Sequence, residues 1–123
     1  MDESDKLILM VDDNADVHLC LREYLGIREH RVKLLSAHTL EQGVTLFRTH
    51  QRQLTFIILD GCLTPYGRDI DTLSLLEEIK ASGYGGPVIA SSSDRRMRDE
   101  MCMLGCTSAV EKGDLVKYLR QYL

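Results

Sequence analysis

The chain has 123 residues, of which 44% are hydrophobic, and its formal net charge at pH 7 is −4. This length suits one compact domain with its own hydrophobic core, and so mild a negative charge excludes nucleic-acid binding driven by charge alone. No apolar run approaches the roughly 20 residues of a membrane-spanning helix and the acidic start lacks the order of a signal peptide, so we expect one cytoplasmic domain over 1–123.

The first strand and helix are predicted from an apolar run followed by helical periodicity. The strand covers about 7–11, and the helix extends from 14 or 15 to Leu25, where Gly26 is a typical stop signal. The positions expected to be buried follow the i, i+4, i+7 spacing of one helix face: Val17, Leu21 and Tyr24.

The remaining strands are short apolar runs, predicted over about 32–36, 55–59, 88–91 and 107–110. The second helix begins near Thr39, which together with Gln42 has the spacing of a capping box. The third helix covers about 71–81, after the turn-rich stretch 61–69. The positions that should face the sheet from these two helices are Leu40, Val44, Phe47, Leu75, Leu76 and Ile79.

The last two helices have clear boundary signals. Met97, Met101 and Leu104 form the buried stripe of the fourth helix, which Gly105 ends, and Asp114 caps the fifth helix, which extends to the C-terminus. The fifth helix has two apolar stripes: Val116, Leu119 and Leu123, and Leu115, Tyr118 and Tyr122. One stripe must cover the sheet. The other is either a homodimer or partner contact or part of a broad core stripe at the chain end.

Strands that alternate with helices pair in parallel, with right-handed crossovers that cover both faces of the sheet. The strands here are almost continuously apolar, as expected when both faces are buried. The sequence therefore predicts the α/β class: a doubly wound five-stranded parallel sheet with strand order 2-1-3-4-5, in a flavodoxin-like (βα)5 three-layer sandwich.

Polar side chains follow four of the predicted strands. Asp12 and Asp13 come after the first strand, Asp60 after the third, Ser92 after the fourth and Lys112 after the fifth. Because parallel strands end at one edge of the sheet, these side chains should meet there, where open α/β sheets have their ligand sites. Taken singly, Asp13 and Ser92 would be helix caps, Asp60 a turn residue and Lys112 a solvated lysine. Their joint occurrence favours a site.

The carboxylates of such a site repel one another. Two unit charges ~4 Å apart cost about 4 kcal/mol at an effective dielectric constant of 20. Lys112 supplies one counter-charge, and a divalent cation can supply the rest, with oxygen ligands favouring Mg²⁺ over zinc. This combination suits phosphoryl transfer to a carboxylate, in which one aspartate attacks while the cations neutralise the phosphoryl oxygens.

Four segments in this order resemble the receiver domain of two-component response regulators, over essentially the whole chain. They are the segments 8–13, 56–60, 87–92 and 105–112. The resemblance implies that Asp60 accepts phosphate from a sensor histidine kinase or a phosphotransfer protein. It further implies that Mg²⁺ is held by Asp12, Asp13, Asp60 and the carbonyl of Cys62. Ser92 would be the switch hydroxyl, and Lys112 would pair with the phosphoryl group. Such a chain is a phosphorelay signalling domain rather than an enzyme with metabolic turnover.

The chain departs from the family pattern in several places. Gly113 replaces the proline that usually follows the lysine, Ala109 replaces the aromatic residue that swings with the switch hydroxyl, and Ser93 replaces a very small residue. In the loop after the acceptor, Pro65 lies five residues on and the loop looks a few residues longer. These changes concern the output mechanism and the lifetime of the phosphate more than phosphorylation itself. Nothing like an output segment follows the last helix, so we expect a stand-alone or excised receiver.

Three competing functions differ in class. The first is a degenerate receiver that acts as a phosphorylation-independent interaction module, which Ala109 and Gly113 favour. The second is an aspartyl-phosphate phosphatase, because 60–64 partly resembles the nucleophile motif of haloacid dehalogenases, although Cys62 replaces the usual second acid. The third is a flavodoxin-like cofactor binder, which is disfavoured because acidic residues follow the first strand instead of a phosphate-binding loop.

The other reactive residues have simpler interpretations. Reduced structural thiols are expected for Cys20, Cys62, Cys102 and Cys106. Surface or packing roles are expected for His18, His30, His38 and His50. Arg95, Arg96 and Arg98 form a basic patch beside the predicted site, for which a solvated face is favoured over contact with an acidic partner.

Overall fold

A computed structural model describes residues 5–28, 31–63 and 70–123. The strands are β1 (Lys6–Val11), β2 (Val32–Ala37), β3 (Phe56–Asp60), β4 (Val88–Ser91) and β5 (Ser108–Val110). The helices are α1 (Ala15–Arg28), α2 (Leu40–His50), α3 (Leu73–Ala81), α4 (Arg95–Met103) and α5 (Leu115–Leu119), with 3-10 turns at Lys112–Asp114 and Arg120–Tyr122. None of the described helices combines the length and apolarity that crossing a membrane requires.

The five strands form one parallel sheet in the order β2-β1-β3-β4-β5, which confirms the predicted fold class and strand order. The register determines which strand ends are neighbours. Val11 at the end of β1 pairs with Leu59, and Asp60 at the end of β3 pairs with Ser91. The residues that follow β1 and β4 therefore lie on either side of Asp60.

The core is divided between the two faces of the sheet, because successive side chains of a strand point to opposite faces. On one face, Leu9 and Ile57 belong to a buried cluster with residues of α2, α3 and α4: Phe47, Leu75, Leu76, Ile79, Met97 and Met101. On the other face, Met10 and Ile58 belong to a cluster with residues of α1 and α5: Leu21, Leu25, Leu115 and Leu119. Helices thus cover both faces, as the three-layer prediction requires.

Two predicted helix details are wrong. α1 does not stop at Gly26 but continues to Arg28. The glycine is exposed, and the helix continues because its opposite face is held by buried His18, Leu21 and Leu25. The predicted stripe does face the core: Leu21 is buried, and Val17 and Tyr24 are partly buried against the same cluster.

On α4, Leu104 is 39% exposed instead of buried, because the helix ends at Met103 and Leu104 occupies the cap. Gly105 follows with a φ of 123°, so a glycine does terminate this helix. Met97 and Met101 are buried as predicted. The stripe was therefore correct up to the last turn of the helix.

The last helix is shorter than predicted, with five α-helical residues between two 3-10 turns. Asp114 occupies the N-cap position, but its side chain makes no capping hydrogen bond. Members of both apolar stripes pack on the same core cluster: Leu115 and Leu119 are buried, and Val116, Tyr118, Tyr122 and Leu123 are partly buried against it. This packing favours the broad-core interpretation over a partner contact.

Candidate functional site

Three carboxylates meet at the carboxyl edge of the sheet. Asp12 and Asp60 are buried, and Asp13 is half-buried. One oxygen of each lies within 4.8 Å of one oxygen of each of the others. Asp12 and Asp13 are carried there by the end of β1, and Asp60 is the last residue of β3. The structure thus brings together the three acids that the sequence placed at one edge.

Lys112 lies between two of these acids. Its Nζ is 2.8 Å from Asp60 Oδ2 and 3.2 Å from Asp12 Oδ2. Burial lowers the pKa of Lys112, but the hydrogen bond to Asp60 and the two negative charges outweigh burial and raise the pKa overall. The lysine is therefore a fixed cation, carried by the 3-10 turn that follows β5.

Burial raises the pKa of Asp60 from 3.8 to about 6. The hydrogen bond from Lys112 lowers this pKa, while the charge of Asp12 raises it further. In metal-free protein, Asp60 is therefore mostly ionised at neutral pH, but its anion is less stable than that of an exposed aspartate. An additional cation would stabilise its ionised form.

The raised pKa of Asp60 predicts how stability depends on pH in metal-free protein. Between pH 3.8 and about 6 the folded state holds more protons on Asp60 than the unfolded state. The free energy of unfolding therefore falls as pH rises through that range. We expect Asp60→Asn to be more stable than the parent by about 3 kcal/mol at pH 8 and to match the parent near pH 4. Urea unfolding with a chelator present measures this difference.

The titration of His18 changes the free energy of unfolding with pH in the opposite direction. The pH dependence of the parent alone would therefore not isolate the effect of Asp60. Burial lowers the pKa of His18 below 6.5, which removes stability as pH falls below the unfolded value. Because both proteins retain His18, this contribution cancels in the difference between parent and variant. A difference that stayed constant from pH 4 to pH 8 would contradict the assigned shift of Asp60.

The N-cap of α1 is Asn14 and not one of the acids. The Asn14 side chain accepts a hydrogen bond from the Asp16 amide at 2.9 Å, which is the N-cap interaction of α1. The Asn14 amide donates to Asp12 Oδ1 at 2.9 Å. Asn14 therefore performs the capping role that was the simpler interpretation of Asp13.

The site fits a divalent cation on the evidence of its own atoms. Asp12 Oδ2 is buried and has no hydrogen-bond partner, although Lys112 Nζ lies 3.2 Å away. Three carboxylates face one ammonium group, which leaves a net charge of −2 when all are ionised. The three side chains present only oxygen ligands, the type that Mg²⁺ prefers. Within the described ranges this is the one cluster of at least three acidic, histidine or cysteine ligands.

The loop after Asp60 begins with tight packing. A Cβ at Gly61 would overlap the sulfur of Met97, so a larger residue here would require the flexible Met97 side chain to move. The Cys62 amide donates a long hydrogen bond of 3.4 Å to Asp60 Oδ1. This amide orients the carboxylate weakly, and the role of the Cys62 carbonyl as a metal ligand stays a prediction. Residues 64–69, including Pro65, lie outside the described residues.

Ser92 lies at the end of β4 and is buried. Its hydroxyl accepts a hydrogen bond from the Asp94 amide at 3.1 Å, and Asp94 in turn caps α4. Arg98 donates to the Ser92 carbonyl at 2.8 Å. The serine therefore helps to form the turn before α4, and its role as a switch hydroxyl stays a prediction.

The atypical positions have distinct surroundings. Ser93 and Gly113 are exposed, and Ala109 is half-buried against the core. All peptide bonds in the described ranges are trans.

In the basic patch, Arg95 and Arg96 pair along α4 with acids four residues on, Asp99 and Glu100. These pairs fit the solvated face that was favoured for the patch.

Two contacts of the site were not foreseen. His18 is buried, and its Nε2 lies 2.7 Å from the Asp12 carbonyl, with its ring 4.1 Å from that of His38. Thr72 is fully buried, and its hydroxyl donates to the Asp60 carbonyl at 2.7 Å. The only sequence signal for His18 was its position on α1, one turn before the buried Leu21.

None of the four cysteines forms a disulfide, as predicted, and Cys20 and Cys102 are exposed. Cys106 is buried, and burial raises the pKa of its thiol to about 12. This thiol is therefore protonated and unreactive at neutral pH.

No family model and no curated protein matches the chain, but solved structures do. A response regulator receiver protein from Pseudomonas putida is 25% identical, with 97% of this chain and 96% of that one covered and a TM-score of 0.69. The Vibrio cholerae chemotaxis protein CheY4 is 14% identical, with 98% and 100% covered and a TM-score of 0.74. The N-terminal domain of an uncharacterized protein from Wolinella succinogenes is 27% identical, with 96% and 93% covered and a TM-score of 0.70.

Proposed function

We propose that this chain, which has the fold of response-regulator receiver domains, is a signalling switch that accepts a phosphoryl group on Asp60 in a Mg²⁺-dependent reaction. The observation that supports this most strongly is the position of Lys112. Its Nζ lies 2.8 Å from Asp60, in a pocket of three carboxylates where one buried oxygen, Asp12 Oδ2, accepts no hydrogen bond. This arrangement supplies a nucleophilic carboxylate, Asp60, and cationic groups that would neutralise the charge on the phosphoryl oxygens.

The reaction is a displacement at phosphorus. An oxygen of the ionised Asp60 carboxylate forms a bond to phosphorus while the bond between phosphorus and the donor breaks. With a phosphohistidine donor, the leaving imidazole nitrogen keeps the bonding electron pair and takes up a proton. Because the pKa of Asp60 is about 6, most molecules carry the nucleophilic anion at pH 7.5 and above.

Each neighbouring residue has a defined role in this proposal. Asp12, Asp13, Asp60 and the Cys62 carbonyl would hold Mg²⁺, which supplies charge neutralisation at the phosphoryl oxygens. Lys112 moves from pairing with the free carboxylate to pairing with a phosphoryl oxygen. The Ser92 hydroxyl, which accepts from the Asp94 amide, would donate its own hydrogen to another phosphoryl oxygen in the product.

The proposed donor is a sensor histidine kinase or a phosphotransfer protein, acting in two-component signalling. The solved structures named above include a response regulator receiver protein, which supports a two-component signalling domain. A phosphorylation-independent interaction module is the second candidate. The small, half-buried side chain of Ala109 favours it, because a methyl group cannot repeat the movement of the aromatic ring that the family uses there.

Labelling with a small-molecule phosphodonor tests the proposal. We expect one phosphoryl group per chain, added roughly a hundredfold faster with saturating Mg²⁺ than with a chelator. Intact-mass spectrometry measures the uptake, and lability in base identifies an acyl phosphate. No uptake with a folded protein would favour the interaction module, whereas steady turnover of phosphate esters would favour a phosphatase.

A further inference from the structure

Thr72 precedes α3 in the N-cap position but does not act as a cap. A threonine there usually accepts a hydrogen bond from an amide of the first helical turn. Here its side chain makes no capping bond. The hydroxyl instead donates to the Asp60 carbonyl at 2.7 Å and lies 3.3 Å from the Gly61 carbonyl. With no exposed surface, Thr72 has no access to water as an alternative partner.

The contact connects α3 to the peptide unit that carries the acceptor. The Asp60 carbonyl belongs to the peptide plane between Asp60 and Gly61, so its direction fixes ψ of Asp60 and the path of the next residues. Those residues include Cys62, whose amide donates to the Asp60 carboxylate at 3.4 Å. At that length the Cys62 amide holds the carboxylate weakly.

Neighbouring contacts reinforce the same connection. The Asp71 amide donates to the Gly61 carbonyl at 3.0 Å, and Asp71 Oδ1 accepts from the Leu63 amide at 2.8 Å. The two residues before α3 therefore make hydrogen bonds to the segment 60–63, which begins with the acceptor. Of these ties, the Thr72 hydroxyl is the one made to Asp60 itself.

We propose that Thr72 is a positioning residue for phosphorylation: its hydroxyl holds the Asp60 peptide plane so that the carboxylate points at the incoming phosphorus. This inference rests on the proposed function. The hydroxyl touches neither the donor nor the metal, so it acts through Asp60. If the role of the hydroxyl were purely structural, a hydrogen bond made only to avoid a buried unpaired group, its loss would change stability. The rate at which folded protein is labelled would not change.

The test compares three variants with the parent. Thr72→Val keeps the shape of the side chain and removes the donor, and Thr72→Ser keeps the donor. Thr49→Val is the matched control, because the Thr49 hydroxyl also donates to a backbone carbonyl, at 2.8 Å, but on the exposed side of α2. At saturating Mg²⁺ we expect the maximal labelling rate to fall about tenfold in Thr72→Val and less than twofold in the other two. The half-saturating phosphodonor concentration should not change.

Each outcome has one meaning. If the parent is labelled and Thr72→Val is labelled as fast as Thr49→Val, or Thr72→Ser falls as far as Thr72→Val, the positioning role is refuted and the proposed function stands. If the folded parent takes up no phosphate, the proposed function fails together with the inference that rests on it. Circular dichroism checks folding. Should Thr72→Val not fold, Thr72→Ala also removes the donor, and a parent-like labelling rate there would overturn the inference.

Discussion

Asp60→Asn is expected to lower phosphoryl uptake by ~10³-fold or more, because the variant has no anionic oxygen to attack phosphorus. The amide keeps nearly the same size, and Lys112 keeps its contact with Asp12 at 3.2 Å. The fold should therefore survive the change. Labelling with a small phosphodonor at saturating Mg²⁺, followed by intact-mass spectrometry, measures the loss.

The control for this variant is Asp99→Asn, which makes the same chemical change on the exposed face of α4. The Asp99 carboxylate is 4.0 Å from Arg95 and far from full burial, so uptake should stay at the parent level. Phosphate that appears on Asp60→Asn at the parent rate would mean that another residue is the acceptor. Peptide mapping of the labelled protein would then identify it.

The fold, and the position of the site at the carboxyl edge of the sheet, were predictable because both depend on short-range patterns. Runs such as Phe56–Leu59 are too apolar to be anything but buried, and their number and spacing leave few topologies. A parallel sheet aligns strand ends automatically, so Asp12 and Asp60 had to be neighbours once β1 and β3 paired. No knowledge of individual side-chain contacts was needed for that step.

The errors and omissions have a common physical cause, which is that they depend on tertiary contacts. Gly26 has the local signature of a helix end, but buried contacts on the opposite face of α1 extend the helix to Arg28. Thr72 has the signature of a cap, but its hydroxyl finds the Asp60 carbonyl from across a loop. The packing partners of α1 lie on the sheet and α5, and Thr72 reaches Asp60 from the far end of a loop, so spacing along the chain predicts neither contact.

Lys112 is the residue whose removal should separate metal binding from phosphoryl transfer. Its ammonium group neutralises Asp60 and Asp12 in the metal-free site, so it competes electrostatically with a bound cation. In the proposed reaction the same group stabilises charge on the phosphoryl oxygens. Removal of the ammonium group should therefore strengthen Mg²⁺ binding and slow phosphoryl transfer.

In Lys112→Met we expect the labelling rate at saturating Mg²⁺ to fall about a hundredfold, equivalent to about 2.7 kcal/mol of lost transition-state stabilisation. Half-saturation with Mg²⁺ should occur at a lower concentration than in the parent, because a repelling cation is gone. Calorimetric Mg²⁺ titration and labelling kinetics measure the two effects. Lys117→Met, which removes an exposed lysine from α5, should change neither. Weaker Mg²⁺ binding in Lys112→Met would mean that the lysine organises the carboxylates more than it opposes the metal, and the proposed electrostatic role would be wrong.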